Sequence, residues 1–130
     1  MMWARLAWAA LCAFIVYGSL GEWSPYYPGT WAPTLVVPRD VAINVILYVA
    51  FGVLGFFSMR AGYGRHWLRL TGRIVLLALL FSASNEVFQL YTIDRVASLT
   101  DIVSAVIGAF IGGVAASLFS SSGAVSREPR

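Results

Sequence analysis

A chain of 130 residues with 59% hydrophobic and only 12% charged side chains has too little polar surface to fold as a soluble domain, where roughly 25% are charged. That composition excludes a soluble globular fold and a disordered chain, and it leaves a polytopic membrane protein. The formal charge of +3 rests on nine basic residues, all of them Arg. Four of these (Arg60, Arg65, Arg69 and Arg73) crowd one stretch between apolar runs, a membrane-topology signal that argues against nucleic acid as a partner.

Four apolar segments follow along the chain, at 3–20, 41–59, 74–91 and 102–119. Each is near the ~20 residues that cross a bilayer as a helix. The expected fold is therefore all-α, a polytopic transmembrane bundle of four helices. Residues 1–119 form one domain, and 120–130 form a polar, disordered tail opened by Ser120-Ser121-Ser122-Gly123. The first segment has a second reading. Arg5, an apolar stretch and Ser19-Leu20-Gly21 resemble a signal peptide with a small-x-small cleavage site. Its length favours a retained span. The one cysteine, Cys12, lies inside that run and has no partner in the chain.

The first connection, 22–40, holds four of the five prolines together with Trp23, Tyr26, Tyr27 and Trp31, the composition of an interfacial loop. The second, 60–73, is basic. The third, 92–100, is short and carries Asp94 and Arg95. With the N-terminus cytoplasmic, the inner side holds seven Arg and the outer side two, Arg39 and Arg95. The positive-inside rule then places both termini in the cytoplasm.

Polar residues inside apolar spans are costly, roughly 2.5–3.5 kcal/mol for a mid-bilayer charge, and turn toward the bundle interior. Helical spacing puts Ala78, Ser82, Glu86 and Gln89 on one face of the third span. It aligns Asp40, Asn44, Tyr48 and Gly52 on the second, and Asp101, Ser104, Gly108, Gly112 and Ala116 on the fourth. Glu86 lies 13 residues beyond Arg73, about 20 Å at 1.5 Å per residue, which is the outer half of the membrane. Asn44, Glu86, Gln89, Arg95 and Asp101 are thus expected in one outer layer. Within it Glu86 and Arg95 are expected to be coupled, directly or through Asp101. Asp40, Asn44 and Gly52 have a weak echo in Asp101, Ala105 and Gly113 at the same spacing.

The segment Ser82-Ala-Ser-Asn-Glu86-Val-Phe-Gln89, followed by Arg95-Val-Ala-Ser98-Leu-Thr-Asp101 and the Gly108/Gly112 helix, resembles the signature of the VanZ-like family. Asn44-Val-Ile-Leu-Tyr48-Val-Ala50-Phe-Gly52 resembles that family's N-x3-F-x-P-x-G helix. The likeness spans 39–113. This chain departs from the pattern at Ala50, often Pro, and at Ala105, usually Asn, where Ser104 is a candidate substitute. The resemblance implies a multi-pass protein of the bacterial inner membrane and cell envelope, in a family whose namesake is associated with resistance to the glycopeptide teicoplanin.

Three functions fit these residues. One is a binding protein for an anionic or amphiphilic envelope molecule, a membrane lipid or lipid-linked precursor, with Asn44, Glu86, Gln89, Arg95 and Asp101 as the ligand set. A second is an enzyme with Glu86 and Asp101 as an acid/base pair. The third is a structural or assembly protein whose motif locks the bundle. Each residue also has a structural role open to it: Glu86 as half of a buried pair, Asp101 as a first-turn acid, Asn44 and Tyr48 as interhelical hydrogen-bonding groups. Gly108 and Gly112 form a small-residue face suited to helix packing, within the chain or between copies in a homo-oligomer. His66 has no metal-ligating neighbours in sequence, and no cofactor or metal motif is present.

Overall fold

A computed structural model of the protein describes residues 2–19, 30–32, 34, 36–62, 66–93 and 95–125, the side chains of 62 and 121–125 excepted. Four helices dominate: α1 (Met2–Ser19), α2 (Pro38–Met59), α3 (Trp67–Gln89) and α4 (Leu99–Val125), with a 3-10 turn at Arg60–Gly62. Each is long and apolar enough to cross a membrane, as the four apolar segments predict. Only helices and closed barrels satisfy every backbone polar group inside hydrocarbon. The fourth helix continues through residues 120–125, a stretch the serine-rich composition assigns to the tail. Trp23, Tyr26, Tyr27 and Asp94 lie outside the described residues.

Local chemistry sets the helix ends nearest the motif. Pro38 opens α2 after an extended Val37, a position where its fixed φ and missing N–H cost nothing. The Val37 carbonyl accepts from the N–H groups of Asp40 and Val41, both at 3.0 Å. Ser98 precedes α4 and its Oγ accepts from the Thr100 N–H at 3.1 Å, an N-capping bond that starts the helix. Asp40 and Asp101 then occupy first turns, where the helix dipole favours a carboxylate.

Two short strands, β1 (Thr30–Trp31) and β2 (Val96–Ala97), pair in parallel with Thr30 opposite Val96 and Trp31 opposite Ala97. The Ala32 N–H adds a bond to the Ala97 carbonyl at 3.0 Å. No strand signal is visible in the sequence. The bridge joins the α1–α2 and α3–α4 connections at the same end of the bundle and pairs their backbone groups.

α2 and α4 run parallel and meet through glycines. A Cβ at Gly108 would lie 2.6 Å from the Val45 carbonyl oxygen. At Gly112 it would fall on the Val49 carbonyl oxygen, and at Gly52 on that of Ala109. Gly113 meets α3 instead, with Thr71 Cγ2 at 2.9 Å. Side-chain volume at any of these positions would separate the helices. The small-residue face that could serve a second copy is therefore taken up within the chain. The core between the helices holds Phe51, Leu70 and Ile74. Phe51 stacks on Phe81 at 5.9 Å and meets Trp8 at 5.2 Å with the rings inclined by 62°. Large apolar side chains such as Leu76, Leu80, Phe110, Ile111 and Phe119 point outward, the inverse of a soluble fold and the arrangement that lipid solvates.

Candidate functional site

The three polar stripes fold inward as their spacing requires. Ala78, Ser82 and Glu86 are buried on α3, with Gln89 half-buried. Tyr48 and Gly52 are buried on α2, with Asn44 half-buried at the rim. Ser104, Gly108, Gly112 and Ala116 are buried on α4. The Tyr48 hydroxyl shares hydrogen bonds with Ser82 and Asn85 of α3, a link between two stripes. Asn85 is itself buried, one position away from the stripe that helical spacing picks out.

Glu86 is only 5% exposed. Its Oε2 accepts the backbone N–H of Ser98 at 2.7 Å. A buried carboxylate on α3 thus anchors the residue that caps α4. Arg95 turns the other way and donates from Nη2 to the Gly18 carbonyl of α1 at 2.7 Å. Among the described residues no ion pair joins Glu86 to Arg95, so the direct coupling expected from topology is replaced by two separate backbone contacts. Asp101 pairs with the side chain of Asn44 across the α2–α4 seam. Ser104 does not substitute for the family's asparagine: its Oγ donates to the Thr100 carbonyl of its own helix at 2.7 Å. The amide beside Asp101 comes from Asn44 on the neighbouring helix instead.

A cavity of about 630 Å³ opens at this end of the bundle. α1 contributes Phe14, Ile15, Gly18 and Ser19; Val37 and α2 contribute Arg39, Asp40, Ile43, Asn44 and Leu47. Gln89, Arg95, Val96, Ser98 and Asp101 complete the wall. Of the five residues expected to form the site, Asn44, Gln89, Arg95 and Asp101 line this space, and Glu86 lies behind it. Arg39 and the α1 wall are additions. Arg39 has a signal in the sequence, as one of two Arg on the side opposite the basic connection, whereas helix α1 carries no polar stripe to mark it. His66 and Trp67 are exposed at the start of α3, away from the cavity. Among the described residues no cluster of three or more His, Cys, Asp or Glu side chains is placed to hold a metal ion.

Four helices long and apolar enough to cross a membrane, with a cavity of mixed polar and apolar lining at one end, define a small multi-pass membrane protein. The chain belongs to the VanZ/LLP1 family, whose profile matches residues 6–120. That match covers the last three spans, the first from residue 6 onward, and every cavity-lining residue. Comparison with curated proteins and with solved structures gave no match.

Proposed function

We propose that this protein binds an anionic or amphiphilic molecule of the bacterial cell envelope in the cavity between α1, α2 and α4. One observation carries the reading: polar groups from all four helices and the α3–α4 connection converge on a cavity that also has an apolar wall. Arg95 is exposed along that wall and its guanidinium offers several donors, suited to a phosphate or carboxylate. Phe14, Ile43 and Leu47 offer acyl chains a dry surface. The Arg distribution in the sequence puts this end outside, at the outer leaflet of the inner membrane, with both termini in the cytoplasm. A contribution to teicoplanin resistance is suggested by membership of the VanZ/LLP1 family alone, and a site at the outer leaflet is compatible with it.

The enzyme reading has less support. It needs Glu86 and Asp101 on one substrate, and Glu86 does not line the cavity. Its hydrogen bond to the Ser98 N–H is a positioning contact. The purely structural reading calls for a closed, saturated polar network, whereas the polar groups here border open space.

Native mass spectrometry of the protein extracted with its lipids tests the proposal. Phosphate-bearing lipids should co-purify with the wild type and be largely lost from Arg95→Gln at unchanged protein yield. Equal lipid retention by both proteins would overturn it.

A further inference from the structure

Asp40 and Asp101 reach the cavity from the first turns of two parallel helices. Asp40 lies close enough for its charge to act on Asp101. Arg39 and Arg95 border the same cavity, yet among the described residues neither forms an ion pair with either carboxylate. Arg95 is turned to a backbone carbonyl, and among the described residues Asp101 hydrogen-bonds to the neutral amide of Asn44. Two carboxylates facing one partly desolvated space repel unless a cation lies between them. A purely anionic guest would be attracted by the arginines and repelled by the aspartates, and a purely cationic guest would suffer the reverse.

We infer that the cavity takes a zwitterionic amphiphile, with a phosphate on Arg39 and Arg95 and a primary ammonium between Asp40 and Asp101. This rests on the binding reading above and narrows its ligand class. A primary ammonium has three N–H donors for two carboxylates. A quaternary ammonium has none, so the site distinguishes the two among otherwise similar headgroups.

The test titrates detergent-solubilised protein with phosphatidylethanolamine, phosphatidylcholine or phosphatidylglycerol, each alone, and counts bound lipid by native mass spectrometry. The wild type should retain phosphatidylethanolamine roughly tenfold better than the other two, the effect of one hydrogen bond to a charged group. Asp40→Asn should erase that preference and leave phosphatidylglycerol binding unchanged or stronger. Asp40 is exposed, so this change leaves the fold intact. Asp101→Asn should act in the same direction, since the amide keeps its size and its contact with Asn44. If phosphatidylglycerol binds as well as phosphatidylethanolamine and Asp40→Asn changes nothing, the zwitterion proposal fails while anion binding stands. If none of the three lipids binds, both fail.

Discussion

Helix α2 meets α4 on one side and α1 on another, and the two seams are built differently. Against α4, Gly108 and Gly112 bring backbone onto backbone, with no room even for a Cβ. Against α1, contact is made by a large ring: Trp8 covers Gly55 and meets Phe51 with the two rings steeply inclined. Toward the Asp40 end that seam opens into the cavity, bridged by Arg95 reaching Gly18. In lipid no hydrophobic force distinguishes a helix neighbour from a hydrocarbon tail, so packing decides which pairs hold. The seam of small residues is rigid and filled. The seam of large residues touches at one end and leaves the cavity at the other.

The sharpest way to break this contrast is Gly112→Leu. Its side chain must displace the Val49 backbone, so the cost should reach or exceed the roughly 3 kcal/mol at the top of the usual overpacking range. Folded, monodisperse protein in detergent should be nearly lost. Phe110→Leu, on the lipid-facing side of the same helix, should be obtained at wild-type yield. Equal losses would mean that α4 does not pack by this face.

A smaller effect is expected at the joint between α3 and α4. Glu86→Ala removes the buried acceptor of the Ser98 N–H and should cost roughly 1–3 kcal/mol, read as a fall in thermal unfolding temperature. Glu86→Gln retains an acceptor oxygen and should lose much less. If Gln is as damaging as Ala, the charge of Glu86 matters in its own right and the positioning role is wrong.

The smallest effect belongs to the α1 seam. Trp8→Phe keeps a ring against Phe51 and removes an indole N–H that has no hydrogen-bond partner among the described residues. Stability should change by under about 1 kcal/mol, the scale of one aromatic pair. A large loss would show that α1 is held as firmly as α4 and would erase the distinction between the seams.

Much of this architecture was legible in the sequence because a bilayer leaves few choices. Span length and hydropathy locate all four helices, and four-residue spacing finds the inward faces bearing Tyr48, Glu86 and Gly112. The pairing of Glu86 was not legible. Its acceptor role is satisfied by a backbone N–H at Ser98, and every residue except proline supplies one, so no side-chain pattern marks it. Arg95 was expected to be coupled to Glu86, directly or through Asp101; among the described residues its partner is instead the Gly18 carbonyl of α1, a backbone group that no side-chain pattern marks. The β1–β2 bridge escaped for a related reason: two-residue strands are too short to show alternation. The cavity needs α1 for one wall, and that helix contributes mainly apolar groups and backbone there.

The parallel seam of α2 and α4 also bears on the order of assembly. Its partners are separated in the chain by the whole of α3, and chains are made N-terminus first. Until the last span inserts, the backbone at Val45 and Val49 lacks the glycines that pack on it in the finished bundle. Asp101 and Ser98 then arrive with the helix that closes the bundle, so the recess is completed at the final step of insertion. A chain halted before α4 would lack both its tightest contact and part of its recess. Such an incomplete product would be open to quality-control proteolysis.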